Sequence, residues 1–176
     1  NSDGIMVARG DLGIEIPSEE VPLLQKRIAY LAKKHRIPVI IATQMMESMM
    51  KSLNPNRAEV NDVANSIMDG ADAVMLSGET SVGNHPKEVI KTISRIIGRV
   101  ENSDLISLKH KHPIDYESDR FITKSVCYYA AKIANDTKAK AISTLTNSGY
   151  TAYQISSWRP KTHAVSYTHL RAHETM

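Results

Sequence analysis

Short, uninterrupted apolar runs alternate along this chain with longer segments whose apolar residues recur every three or four positions. The runs are Ile5–Ala8, Val39–Ala42 and 73–76, and they begin about 34 residues apart. None alternates polar with apolar, so each predicts a strand of a parallel sheet covered on both faces. Between them the spacing predicts helices. In the first, Ser18 is the expected N-cap, Glu19 and Glu20 suit the positive end of the dipole, and Val21, Leu24, Ile28 and Leu31 make one buried face. It should stop near Arg36, before Pro38. In the second, Asn56 and Glu59 have the spacing of a capping box, Val60, Val63, Ala64, Ile67 and Met68 make the apolar face, and Gly70 closes the helix. In the third, Pro86 sits in the first turn and Val89, Ile93, Ile96, Ile97 and Val100 mark the core side. The methionines of 45–50 are expected to fill space in the core.

Three strand-loop-helix units are thus expected in 1–103. The pattern fits an open doubly wound sheet and part of a (β/α)8 barrel equally well. Residues 104–119 are polar and predict a linker. A new unit follows: a helix through Ile122, Val126, Tyr129, Ala130 and Ile133, a strand over 139–145, a loop over 146–151, a helix over 152–158 and a short strand around His163 to Val165. It reads as the start of a second α/β domain.

Composition narrows the field. The chain has 176 residues, is 41% hydrophobic and carries a formal charge of +3. That is enough for a core and too little charge for a nucleic-acid binder. The one basic cluster, Lys33-Lys34-His35-Arg36, falls where a helix ends and complements its dipole, with no aromatics interleaved for base stacking. A single cysteine, Cys127, excludes an internal disulfide and suits a reducing cytoplasm. No apolar run approaches the length of a membrane span. Asn1-Ser2-Asp3 has neither an initiator methionine nor a signal-peptide pattern and is expected to lie within a longer chain.

The chemistry is concentrated where the strands end. Arg9-Gly10-Asp11-Leu12-Gly13 follows the first, Thr43-Gln44 the second and Ser77-Gly78-Glu79-Thr80 the third. Ligands of α/β proteins bind at the carboxyl ends of parallel strands, so Arg9, Gly10, Asp11, Thr43, Ser77 and Glu79 are expected at one mouth. Gly10 allows close backbone approach to a ligand, and Asp11 offers a hard oxygen to a divalent cation. Taken singly, each has a plain alternative: Asp11 a turn cap, Glu79 a solvated acid, Thr43 and Ser77 ordinary loop hydroxyls. In the second domain, Thr146, Asn147, Ser148, Gly149 and Thr151 place hydroxyls and a glycine before a helix, an arrangement suited either to an anion or to a capped turn.

Four stretches, MVARGDLG, IATQMMESM, NRAEVNDVANSIMDGADAVMLSGET and LTNSGYTA, resemble pyruvate kinase, and the resemblance covers about 1–165. It implies a (β/α)8 barrel with an inserted lid and a C-terminal α/β domain. The implied activity is transfer of the phosphoryl group of phosphoenolpyruvate to ADP, giving pyruvate and ATP, with Mg2+ or Mn2+ and usually K+. By the same resemblance Asp11 is a metal ligand, and the backbone N–H groups of Gly10 and Asp11 hold the substrate carboxylate. Thr43 lies near the carbon that is protonated, Ser77 and Glu79 belong to a hydrated proton-relay region, and the 146–151 loop takes a sugar-phosphate effector. A cytoplasmic homotetramer is the implied assembly.

Several family features have no counterpart in these residues. They are the lysine that stabilises the transferring phosphoryl, the glutamate that is a second metal ligand, the lid, the K+ ligands and most nucleotide contacts. Tyr150 stands where many members have a basic residue. Residues 166–176, SYTHLRAHETM, leave the family pattern, resemble a translated sequencing adaptor and are expected to be a non-native tail. The rivals to this reading are another phosphoenolpyruvate-using or aldolase-type barrel, and a non-catalytic binding piece.

Overall fold

The three apolar runs form strands β1 (Ile5–Ala8), β2 (Val39–Ala42) and β3 (Ala73–Met75). They lie side by side in the order β1-β2-β3, all parallel, with Val7 opposite Ile41 and Ile41 opposite Val74. The computed structural model describes residues 2–103 and 119–167. By its contacts the chain divides into two units, Asn1–Leu108 and Lys109–Met176, a boundary inside the stretch read as a linker. Of that stretch, 104–118 lie outside the described residues.

In the first unit each strand leads into a helix that returns over the sheet: α2 (Val21–His35), α3 (Arg57–Asp69) and α5 (Pro86–Glu101). Their ends follow local chemistry. Asn56 accepts from the Glu59 N–H while the Glu59 carboxylate accepts from the Asn56 N–H, so the capping box is complete. Gly70 closes α3 at φ +96°, in the left-handed region that glycine tolerates best. Pro86 opens α5, where its missing N–H costs nothing. The expected Ser18 cap does not form: 18–20 make a turn, and Glu20 occupies the N-cap position of α2 without a side-chain cap bond.

The core is one-sided. Val7, Val39 and Ile41 pack with Ala32 of α2, Val63 of α3, and Val89 and Ile93 of α5, joined by Met45, Met46 and Met49. The methionines are therefore core filler, as their spacing implied. On the opposite face Met6 and Ile40 are partners in register and are 54% and 36% exposed. The expectation of cover on both faces thus fails among the described residues, where helices cover the Val7–Ile41–Val74 side alone. The buried face of α2 is also shifted. Gln25, Ala29 and Ala32 are buried while Leu31 is 39% exposed, because the small alanines let the helix approach the strands closely.

The second unit contains α6 (Phe121–Asp136), β4 (Ala141–Leu145), α7 (Tyr150–Ser156) and β5 (His163–Tyr167), with β4 and β5 parallel. Its core is Cys127, Ala131, Ile155 and Trp158, with Tyr128 edge-on to Trp158 at 5.0 Å. The larger apolar residues that mark α6 in the sequence, Ile122, Val126, Tyr129 and Ile133, lie on its exposed side. Ser166 and Tyr167, assigned to the tail by sequence, pair with Thr144 and Leu145 in β5, and 168–176 lie outside the described residues. Among the described residues no helix is long and apolar enough to cross a membrane.

Candidate active site at the strand ends

The loops expected after β1 and β3 are partly helical. Residues from Arg9 form the two-turn helix α1 (Arg9–Glu15), and Gly78–Ser81 form the single turn α4. Small or flexible positions at Gly10, Gly13 and Gly78 do not prevent this, since a helix starting at a strand end needs only its first N–H groups satisfied from outside. One of these is satisfied across the sheet: the Gly10 N–H donates to Thr43 Oγ1 at 2.8 Å.

Thr43 and Gln44, at the end of β2, are both left-handed, at φ 69° and 54°. Two consecutive non-glycine residues there cost roughly 1–2 kcal/mol each and need compensating contacts. Arg9 supplies them. Its Nη2 donates to the carbonyls of Thr43 at 2.7 Å and Gln44 at 3.2 Å, while its Nη1 donates to both carboxylate oxygens of Asp62 on α3 at 2.7 and 2.6 Å. The Arg9 side chain is 11% exposed and that of Asp62 35%. The cation expected at the mouth is therefore held inward, and it fastens the second strand end to α3.

Glu79 is a brace of the same kind. It is 5% exposed, and its carboxylate accepts from the N–H of Met46 at 3.3 Å and of Ser77 at 3.0 Å. This joins the second and third strand ends. Nearby, Glu59 accepts from the Ser48 N–H at 2.7 Å and from the Ser48 hydroxyl, so the capping acid of α3 also holds the 3-10 turn Glu47–Met50. In the complete protein, Glu79→Gln would turn an amide N–H toward one of two backbone N–H donors. We expect a loss of about 1–3 kcal/mol, seen as a melting temperature lower by several degrees. Lost turnover with unchanged melting would instead make Glu79 a proton-handling group. Gly83 supports the same turn, because an added Cβ would stand 2.5 Å from the Glu79 carbonyl oxygen. Gly83→Ala should therefore lower stability by about 1–3 kcal/mol in a denaturant titration, and wild-type stability would refute the tight approach.

Asp11 stands apart from these bonds. It is exposed on the first turn of α1 and lines a cleft of about 440 Å³ with Met6, Ala8, Leu12, Glu15 and Ile28. Among the described residues no three His, Cys, Asp or Glu side chains cluster to hold a metal. Mg2+ commonly takes one or two carboxylates and completes its shell with substrate oxygens and water, so the free Asp11 carboxylate fits as one ligand. Of the expected residues, then, the structure joins Gly10 to Thr43 and Ser77 to Glu79, with Met46 bridging the second and third ends. The sequence reading misses Asp62 and gives Glu59 only its capping role. Their signal is the acid pair three residues apart on α3, the spacing that puts both on one face.

In the second unit the loop expected over 146–151 ends at Gly149, which at φ 78° is the N-cap of α7, so Tyr150 and Thr151 lie in the helix, which begins two residues earlier than its apolar pattern suggested. Among the described residues, no atom beyond its chain neighbours and its own helix's backbone lies within 4 Å of an added Gly149 Cβ. The Arg120 guanidinium lies 4.3 Å from the centre of the Tyr150 ring, a cation–π contact.

Comparison with known proteins accounts for both units. The family model for the pyruvate kinase barrel domain matches residues 1–90, and that for the pyruvate kinase alpha/beta domain matches 124–175. The chain is 46% identical over 167 residues to pyruvate kinase 2 of Synechocystis sp., covering 94% of this chain and 27% of that protein. It is 45% identical over 167 residues to pyruvate kinase of Thermotoga maritima, covering 95% and 35%. A crystal structure of a pyruvate kinase from Cryptosporidium parvum superposes with a TM-score of 0.79 at 41% identity, over 94% of this chain and 34% of that one. The chain therefore spans about a quarter to a third of the length of the relatives it matches. The choice left open by the hydrophobic pattern falls to the barrel: β1 to β3 are neighbouring strands of a partial (β/α)8 barrel, followed by part of an α/β domain.

Proposed function

The chain belongs to the pyruvate kinase family, and on that premise we propose that the complete protein transfers the phosphoryl group of phosphoenolpyruvate to ADP at the mouth formed by Gly10, Asp11 and Thr43. The observation that carries the reading is the Gly10 N–H to Thr43 Oγ1 bond of 2.8 Å, which puts the two strand ends within bonding reach of one small ligand.

Phosphoryl transfer asks more for positioning and charge neutralisation than for covalent chemistry. Asp11 would hold one face of a Mg2+ or Mn2+ ion, which when bound supplies positive charge to the substrate oxygens. The backbone N–H groups of Gly10 and Asp11 would take the substrate carboxylate. Thr43 Oγ1 and the carboxylate compete for the same Gly10 N–H, so binding exchanges one for the other and frees the Thr43 hydroxyl. Transfer of the phosphoryl group to the terminal oxygen of ADP leaves an enolate, whose carbon then takes a proton. A hydroxyl is a poor acid, so Thr43 would act as one link of a proton chain rather than as its source. Ser77 would extend that chain, while the buried Glu79 would set its geometry. The family's K+ requirement, its homotetramer and a sugar-phosphate effector at Thr146, Asn147, Ser148, Gly149 and Thr151 belong to the same proposal.

The test is ADP-dependent pyruvate formation by the complete protein. Pyruvate released at the same rate without ADP would favour a different phosphoenolpyruvate-using barrel. No release would favour a binding role.

A further inference from the structure

Asp62 belongs to none of the groups that would touch substrate, yet it ends a chain of bonds leading to one. The geometry points to Arg9 and Asp62 as a positioning pair for the proton-handling hydroxyl of Thr43, an inference that rests on the function proposed for Thr43.

Thr43 offers two handles, its carbonyl and its hydroxyl. The hydroxyl is what the reaction uses, and its direction follows from the backbone, because a β-branched side chain is stiff about its first torsion. That backbone is left-handed at Thr43 and Gln44, a conformation neither residue prefers. The Arg9 fork holds it by the Thr43 and Gln44 carbonyls, at 2.7 and 3.2 Å from Nη2. Met45 Sδ, 3.0 Å from the same nitrogen, adds a weaker contact. The fork is in turn aimed by the Asp62 carboxylate, which receives Nη1 on both oxygens. Arg9 also precedes Gly10, whose N–H meets Thr43 Oγ1. One side chain thus fixes the donor and the acceptor of the bond that substrate must replace. Lysine could keep the charge pair with Asp62 but has no planar fork to span two carbonyls and a carboxylate together.

The consequence is a rate effect transmitted through Thr43. In the complete enzyme, Arg9→Lys and Asp62→Asn should each lower kcat about 10- to 100-fold, because a displacement of an ångström or less at a reacting group has effects of that order. The KM for phosphoenolpyruvate should change much less, since Gly10 and Asp11 keep their N–H groups. Exchange of solvent deuterium into pyruvate, which reads enolisation alone, should slow in step with kcat.

The decisive comparison is a double-mutant cycle. In a Thr43→Val background, Asp62→Asn should cost less than about twofold more, because the hydroxyl it positions is gone. Equal loss from Asp62→Asn with and without Thr43 would overturn the positioning role and leave a structural ion pair. If Thr43→Val alone leaves exchange and turnover unchanged, the function proposed for Thr43 fails instead, and the two failures are told apart. If Asp62→Asn does not fold, the cycle is run with Arg9→Lys, which keeps the charge pair. Wild-type kcat in Arg9→Lys would also overturn the inference.

Discussion

Asp11→Asn in the complete enzyme is expected to lower turnover at least about a hundredfold and to raise the Mg2+ concentration needed for half-maximal rate. The substitution keeps the shape of the side chain and removes its charge. Changes one step removed from a metal already cost about 10- to 100-fold, and a direct ligand should cost no less. Stability should barely change, because Asp11 is exposed on the first turn of α1 and its carboxylate accepts no hydrogen bond among the described residues. This separates it from Glu79, where a rate loss and a stability loss should come together. Turnover like the wild type at limiting Mg2+ would remove Asp11 from the metal site.

Thr43→Val carries the second large effect. Valine matches threonine in shape and keeps the β-branch, but it leaves the Gly10 N–H without its 2.8 Å acceptor and the proton chain without a link. Turnover should fall about 100-fold or more, within the 10²–10⁴ range of general acid–base contributions. Solvent-isotope exchange into pyruvate should fall with it. Impaired turnover with unchanged exchange would assign Thr43 to substrate placement alone. The freed Gly10 N–H adds a second signature: substrate carboxylate no longer competes with a hydroxyl there, so KM should stay level or drop while kcat falls.

The parts of this molecule that sequence patterns expose well are those set by one local rule. β1 and β2 begin and end where their apolar runs do, because a run of four apolar residues bounded by Gly, Pro and polar residues suits a short strand and is too short for a helix. The capping box at Asn56 and the glycine stop at Gly70 depend on residues four apart or fewer, and both form. The three strand ends also fall on one side of the sheet, since parallel pairing leaves them no choice.

What patterns miss depends on partners distant in sequence. The inward aim of Arg9 is set by Asp62, 53 residues away, and nothing near Arg9 marks it. The buried acids Glu59 and Glu79 read as a helix cap and a strand-end site acid, and their bracing roles stay hidden, because the N–H groups of Ser48 and Met46 reach them only after folding. The same limit governs helix faces. On α2 the heavier residues Leu24, Ile28 and Leu31 dominate the sequence pattern, while Ala29 and Ala32 make the closest approach. On α6, Cys127 and Ala131 do the same beneath exposed Ile122 and Val126.

On this proposal one ligand site is built from the first and second strand ends. This is tested most directly by a crystal structure of the complete enzyme with Mn2+ and phosphoenolpyruvate, without ADP. The anomalous signal of manganese locates the ion independently of any assumed site. Manganese is expected against the Asp11 carboxylate, the substrate carboxylate on the Gly10 and Asp11 N–H groups, and Thr43 Oγ1 released from Gly10. Manganese and phosphoenolpyruvate bound elsewhere, with the Gly10 N–H still donating to Thr43, would contradict it.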